Sequence, residues 1–235
     1  MLMPQPSSHR LAKLAGMIGP VLFVSTFTIE GWFRPGYEAR AMFVSELSLG
    51  PCGWIQMTNF VVLGILFLIF TRGVAEEFGK GRASKAGFVL LAIIGASFVA
   101  SGFFNMDPVR GARFAPPPDQ LSWHAVLHGF FGNLVFSLAP AACFVFAWRF
   151  RDESGLRRLM WWTLAAGVVL LAAVTLMAVG PAHPPAAPNV FNDWLGAIQR
   201  TAPVGLLAWV FVFAARLTTP RSTRVGGNDL SSMCS

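Results

Sequence analysis

A chain of 235 residues with 54% hydrophobic and only 12% charged side chains is excluded from the ordinary soluble domains, in which about 25% of residues are charged. Its formal net charge of +7 does not indicate nucleic acid, because Lys and Arg flank apolar runs instead of clustering on a polar face with stacking aromatics. Cys52, Cys143 and Cys234 fall in a first loop, an apolar run and a terminal tail, which argues against a disulfide framework and matches no zinc motif.

After segment 1–10, the first apolar run, Leu11–Phe33, is long enough to cross a hydrocarbon layer about 30 Å thick. Arg10 and Lys13 stand before its apolar stretch as they would in a signal peptide. No small-x-small cleavage site follows Ile29-Glu30-Gly31-Trp32, so this run is expected to stay as a helix. Trp54–Thr71 and Ser84–Phe104 follow, the latter with Ala96, Ser97, Ala100 and Ser101 as small residues that let helix backbones approach. The fourth run, Ser122–Phe150, opens with His124 and His128. The fifth, Leu159–Gly180, carries Ala165, Ala172 and Ala173, and the sixth, Asp193–Leu217, holds Arg200 about two turns inside. Pro20 and Pro140 sit within the first and fourth runs, where a missing backbone donor favours a kink. Pro116-Pro117-Pro118 and the stretch Pro181–Pro188 should be extended, and the polar tail 218–235 disordered.

These runs predict an all-α polytopic bundle of six transmembrane helices over residues 11–217, since continuous apolar stretches lack the alternation of barrel strands. Between them, 13 Lys and Arg residues lie on the side of the termini and 4 on the other, with Arg200 inside a span. The positive-inside rule then makes both termini cytoplasmic. Trp32, Trp54, Trp123, Trp161, Trp162 and Trp194 stand near span ends, as interfacial belt residues do.

Ionisable residues within a membrane are costly and point to function. Glu30, Glu46, Asp107, His124, His128, Asp193 and Arg200 all belong to the outer half. His124 and His128 are spaced i, i+4 on one helical face, so with Asp107 or Glu46 they could hold a metal, zinc by ligand type, and activate water for hydrolysis of a membrane-embedded substrate. The alternatives are hydrogen bonding across the bundle, headgroup contact, or a proton relay between a histidine and a carboxylate. Arg200 is expected to need an anion: Glu30, Glu46 or Asp107 as a structural ion pair, or a phosphate or carboxylate on a lipid or solute.

Ser45-Glu46-Leu47-Ser48, Phe103-Phe104-Asn105-Met106-Asp107, His128-Gly129, and Gln199-Arg200 with Trp209 and Arg216-Leu217 together resemble the domain of unknown function 998 family, six-helix membrane proteins of bacteria and archaea. The resemblance implies a bundle in which Glu46, Asp107, His128 and Arg200 converge near the outer face. It implies no established activity, and His124 departs from its pattern. The expectation is thus a multi-pass protein of the bacterial inner membrane, in contact with lipids, with a homo-oligomer left open. A metal-dependent hydrolase or transferase acting on lipids would use Glu46, Asp107 and His128 in catalysis, His124, His128 and Asp107 as metal ligands, and Arg200 for substrate. A small-solute or proton-coupled transporter would need polar residues continuing through the inner half, where the spans are almost wholly apolar.

Overall fold

A computed structural model of the chain describes residues 6–81, 83–108, 120–179 and 190–217. Six helices account for nearly all of them: α1 (Pro6–Phe33), α2 (Gly53–Phe78), α3 (Ser84–Phe103), α4 (Trp123–Phe150), α5 (Arg157–Val179) and α6 (Val190–Arg216). All six contain a stretch long and apolar enough to cross a membrane, and no strand occurs among the described residues. The all-α class and the number of spans are as expected. Both proline-rich connections and the tail 218–235 lie outside the described residues.

Each helix packs on its neighbours in sequence and α6 returns to α1, so the bundle is a ring closed in chain order. Its outer surface stays apolar, with Ile18, Val21, Ile65, Val89, Phe130, Val168 and Leu171 turned away from the protein. A helix apolar on all sides is stable when lipid covers what the protein does not. Inside the ring, an aromatic cluster fills the half that carries the termini. Phe213 packs edge-on against Phe70, Phe146 and Phe150 at ring separations of 5.1–5.5 Å. Trp209 is fully buried and donates its indole hydrogen to Thr163 Oγ1 at 3.0 Å, which removes the cost of a lone N–H in an apolar core.

The end of α2 and the start of α1 differ from expectation for local electrostatic and steric reasons. α2 continues past Thr71 to Phe78, because Arg72 and Glu76 pair one turn apart at 3.1 Å and let charged residues remain helical. α1 starts at Pro6, inside the segment read as preceding the span; proline is tolerated in a first turn, where its missing N–H has no partner to lose. Glu76 ties this extension down by accepting from Ser8 Oγ at 3.0 Å, with His9 Nε2 at 3.7 Å.

Helices α2 and α3 approach closely at Gly64 on α2. A Cβ there would come within 2.6 Å of Val99 N and 2.8 Å of Gly95 O on α3. On α3, Gly95, Ser97, Ser101 and Gly102 are buried whereas Ala96 is exposed; on α5, Ala173 is buried while Ala165 and Ala172 face outward. The helical period of 3.6 residues places only part of each small-residue set on the packed face.

Candidate functional site

The end of the bundle opposite the termini is covered by the 34–52 connection, which does not run over the surface as a simple loop. Gly36 and Gly50 adopt left-handed backbone, φ 77° and 73°, where the chain reverses. Between them a short 3-10 helix, Val44–Ser48, sinks into the bundle with all its residues buried. A short polar helix at such depth is tolerated only if its backbone groups find partners within the protein.

Those partners come from several helices. Arg34, just beyond α1, donates to the carbonyls of Leu47 and Leu49, caps the end of the buried helix, and pairs with Glu30 at 3.3 Å. Glu46 Oε1 accepts from the Phe43 N–H at 2.9 Å and closes the helix start. From α6, Gln199 Oε1 accepts from the Val44 N–H at 3.3 Å, and the Ala197 N–H donates to Arg40 O at 2.9 Å. α6 can come this close because residue 196 is glycine: a Cβ there would lie 2.3 Å from Met42 O.

Arg200 completes the strap. Its guanidinium donates to Ala39 O, to Met42 O at 2.8 Å, to Gly196 O at 2.9 Å and to the Tyr37 hydroxyl. The guanidinium carbon lies 5.5 Å from the centre of the Tyr37 ring. The expected carboxylate partner is therefore replaced by carbonyl oxygens and a phenol, and Glu30 is given to Arg34. Carbonyls at a chain reversal are free acceptors that a residue list does not display.

Tyr37 donates in turn to Phe43 O at 3.0 Å. Burial pushes its phenol up from 10 to about 12, against the pull of the Arg200 cation. Because the folded value is the higher one, the contribution of Tyr37 to stability is fully present below pH 10 and is lost as pH climbs towards 12. It is the single tyrosine of the chain. A phenolate difference titration on the detergent-solubilised protein is expected to give a midpoint near 12; an ordinary midpoint near 10 would mean that the phenol is not buried beneath the connection.

Below the buried helix lies a cavity of about 40 Å³ lined by Ser45, Ser101, His128 and Gln199, with Phe23, Phe60, Phe98 and Val135 among its apolar walls. This is room for about one to three water-sized groups. His128 Nδ1 sits 2.8 Å from Phe104 O and 3.2 Å from Ser101 O at the end of α3. Both partners are acceptors, so Nδ1 carries the hydrogen and Nε2 keeps its lone pair. Gly132, one turn along α4, also lines the cavity, and a Cβ built there meets no atom within 4 Å.

The remaining expected site residues have other local partners. Asp107 accepts from the Ser122 N–H at 2.7 Å and from the Ser122 hydroxyl at 2.9 Å. Ser122 Oγ accepts in turn from the Ala125 N–H at 3.1 Å, so the pair caps α4. His124 packs against Trp123, ring centres 3.8 Å apart, and Phe104 at 5.9 Å. Among the described residues no group of three His, Cys, Asp or Glu side chains is placed to hold a metal ion. His124, His128 and Asp107 are not grouped in the structure: spacing i, i+4 permits a shared ligand, but each of the three side chains has another partner here.

The structure thus brings Ser45, Ser101, His128 and Gln199 to one cavity and makes Glu46 and Arg200 the anchors of its cover. Of these, Ser45 and Gln199 stood in the landmark motifs without a role, while Arg34 and Tyr37 gave no signal beyond a loop charge and a loop aromatic. Gln56 Nε2 and Glu30 Oε2 are among the buried polar atoms that have no hydrogen-bond partner among the described residues. A family model described as a protein of unknown function (DUF998) matches residues 17–216. No curated protein and no solved structure matches the chain.

Proposed function

The chain belongs to the DUF998 family of proteins of unknown function, and from that premise we propose that it is a multi-pass protein of the bacterial inner membrane that binds the polar head of a membrane amphiphile at its outer end. The basic end with both termini then faces the cytoplasm, as the distribution of Lys and Arg requires. The observation that carries the binding reading is His128: its Nδ1 hydrogen is committed to two carbonyls while the ring lines a small cavity shared with Ser45, Ser101 and Gln199. A few convergent polar groups inside apolar walls are the usual makings of a small-ligand site. The 34–52 connection, strapped to α6 through Gln199 and Arg200, is its cover, and Arg200 acts on ligand through that cover.

A second reading rests on the same histidine. An imidazole oriented by carbonyls at Nδ1 can take a proton at Nε2, so a water or the Ser45 hydroxyl in the cavity would become a nucleophile for an ester without any metal. A transporter is disfavoured, because the aromatic cluster around Phe213 and Trp209 fills the other half of the ring.

The test compares lipids retained by wild-type protein with those retained by Gly132→Leu, in native membrane particles analysed by mass spectrometry. Gly132 has free space around its Cβ position, so the leucine should fill the cavity without unfolding the bundle. One amphiphile enriched in wild type and lost from the variant supports binding. Identical lipid profiles for both proteins would remove it, and fatty acid release from the enriched lipid by wild type alone would favour hydrolysis.

A further inference from the structure

A groove of about 820 Å³ runs between α4 and α5 at the basic end, on the opposite side of the bundle from the buried 3-10 helix. Its walls include Phe144 and Trp148 from α4 and Trp161 and Leu164 from α5, and its mouth carries Arg151 and Arg157. Trp148 and Trp161 are about half exposed. An apolar slot with indoles at its rim and cations at its mouth has the profile of one phospholipid molecule, acyl chain along the slot and headgroup at the interface.

The charges at the mouth decide which headgroup. Asp152 and Glu153 also line the groove, and on their own would repel an anion. Both are neutralised locally, Asp152 by Arg151 at 3.5 Å and Glu153 by Arg149 one turn before it. Arg157 opens α5, is exposed, and among the described residues has no hydrogen-bond or ion-pair partner. It supplies an unshared guanidinium, which binds a phosphate oxygen pair in bidentate fashion. A second groove at the same end, between α1 and α2, differs in this respect: its Arg72 is engaged by Glu76 at 3.1 Å.

We infer that the α4–α5 groove is a binding site for an anionic glycerophospholipid, with its phosphate on Arg157 and one acyl chain between Phe144 and Leu164. The site is separate from the His128 cavity, and its occupation does not depend on what that cavity binds.

Native mass spectrometry of the full chain in detergent, titrated with phosphatidylglycerol or phosphatidylcholine, tests this assignment. Wild type should retain phosphatidylglycerol about fivefold more tightly than phosphatidylcholine, the factor expected of one arginine acting near a membrane surface. Arg157→Gln should abolish the preference, and Arg72→Gln, in the groove whose arginine is already paired, should preserve it. Size-exclusion profiles of both variants should match wild type, since Arg157 has no partner to lose among the described residues. Equal retention of the two lipids by wild type, or a preference unchanged in Arg157→Gln, would overturn the inference. Displacement of phosphatidylglycerol by millimolar inorganic phosphate would also overturn it, by showing a phosphate site and not a lipid groove.

Discussion

Arg200→Ala is expected to destabilise the bundle by about 3 kcal/mol or more and to release the 34–52 connection, because several oxygens lose a charged donor at once. Ala39 O and Met42 O would be left with no donor from α6, and Tyr37 would lose the cation beside its ring. Arg200→Lys should recover only part of the loss: an ammonium is a point donor and lacks the planar spread by which the guanidinium serves Ala39 O, Met42 O, Gly196 O and the Tyr37 hydroxyl together. The measurement is a thermal melt of detergent-solubilised protein read by fluorescence size exclusion, with protease sensitivity between residues 34 and 52 as a local reporter. Wild-type melting and protection in the alanine variant would mean that the carbonyl cage contributes nothing and that Arg200 is free for another role.

The second large effect lies between α2 and α3. Gly64→Ala should lower stability by about 3 kcal/mol, at the upper end of ordinary overpacking costs. The added methyl meets backbone atoms, Val99 N at 2.6 Å and Gly95 O at 2.8 Å, and these cannot rotate aside as a side chain would. The two helices must therefore separate at this point to admit it. Gly132→Ala, on a face where a Cβ meets nothing within 4 Å, is the matched control and should melt with wild type. Equal melting of the Gly64 and Gly132 alanine variants would show that the two helices are not held at this separation.

The fold was legible because crossing a membrane constrains composition residue by residue. Each of the six spans could be located from its apolar run, and the errors lie at ends where a second interaction keeps a polar sequence helical, as Arg72 and Glu76 do for α2. The site was less legible, for two physical reasons. First, Val44–Ser48 is too short to carry a helical hydrophobic period, so its burial follows only from tertiary partners, Arg34 and Gln199 among them. Second, the acceptors that matter most are backbone oxygens. An arginine in a span announces that it needs a partner but not that the partner is Ala39 O or Met42 O. The same holds for His128, whose sequence neighbour at i−4 suggested a metal pair while its ring found two carbonyls at the end of α3.

The ring closed in chain order also dictates a sequence of events during synthesis. α2 to α5 can each dock on the helix made just before, so their assembly needs only local contacts as the chain emerges. α6 is the exception: it must find α1, made first, and its arrival brings Gln199 and Arg200 to the 34–52 connection. A nascent chain halted before residue 190 therefore contains His128 and Ser45 but lacks both the Gln199 wall of the cavity and the strap that holds its cover. The cavity therefore acquires its full set of walls only with the last helix, so that ring closure completes the bundle and its polar pocket in one step.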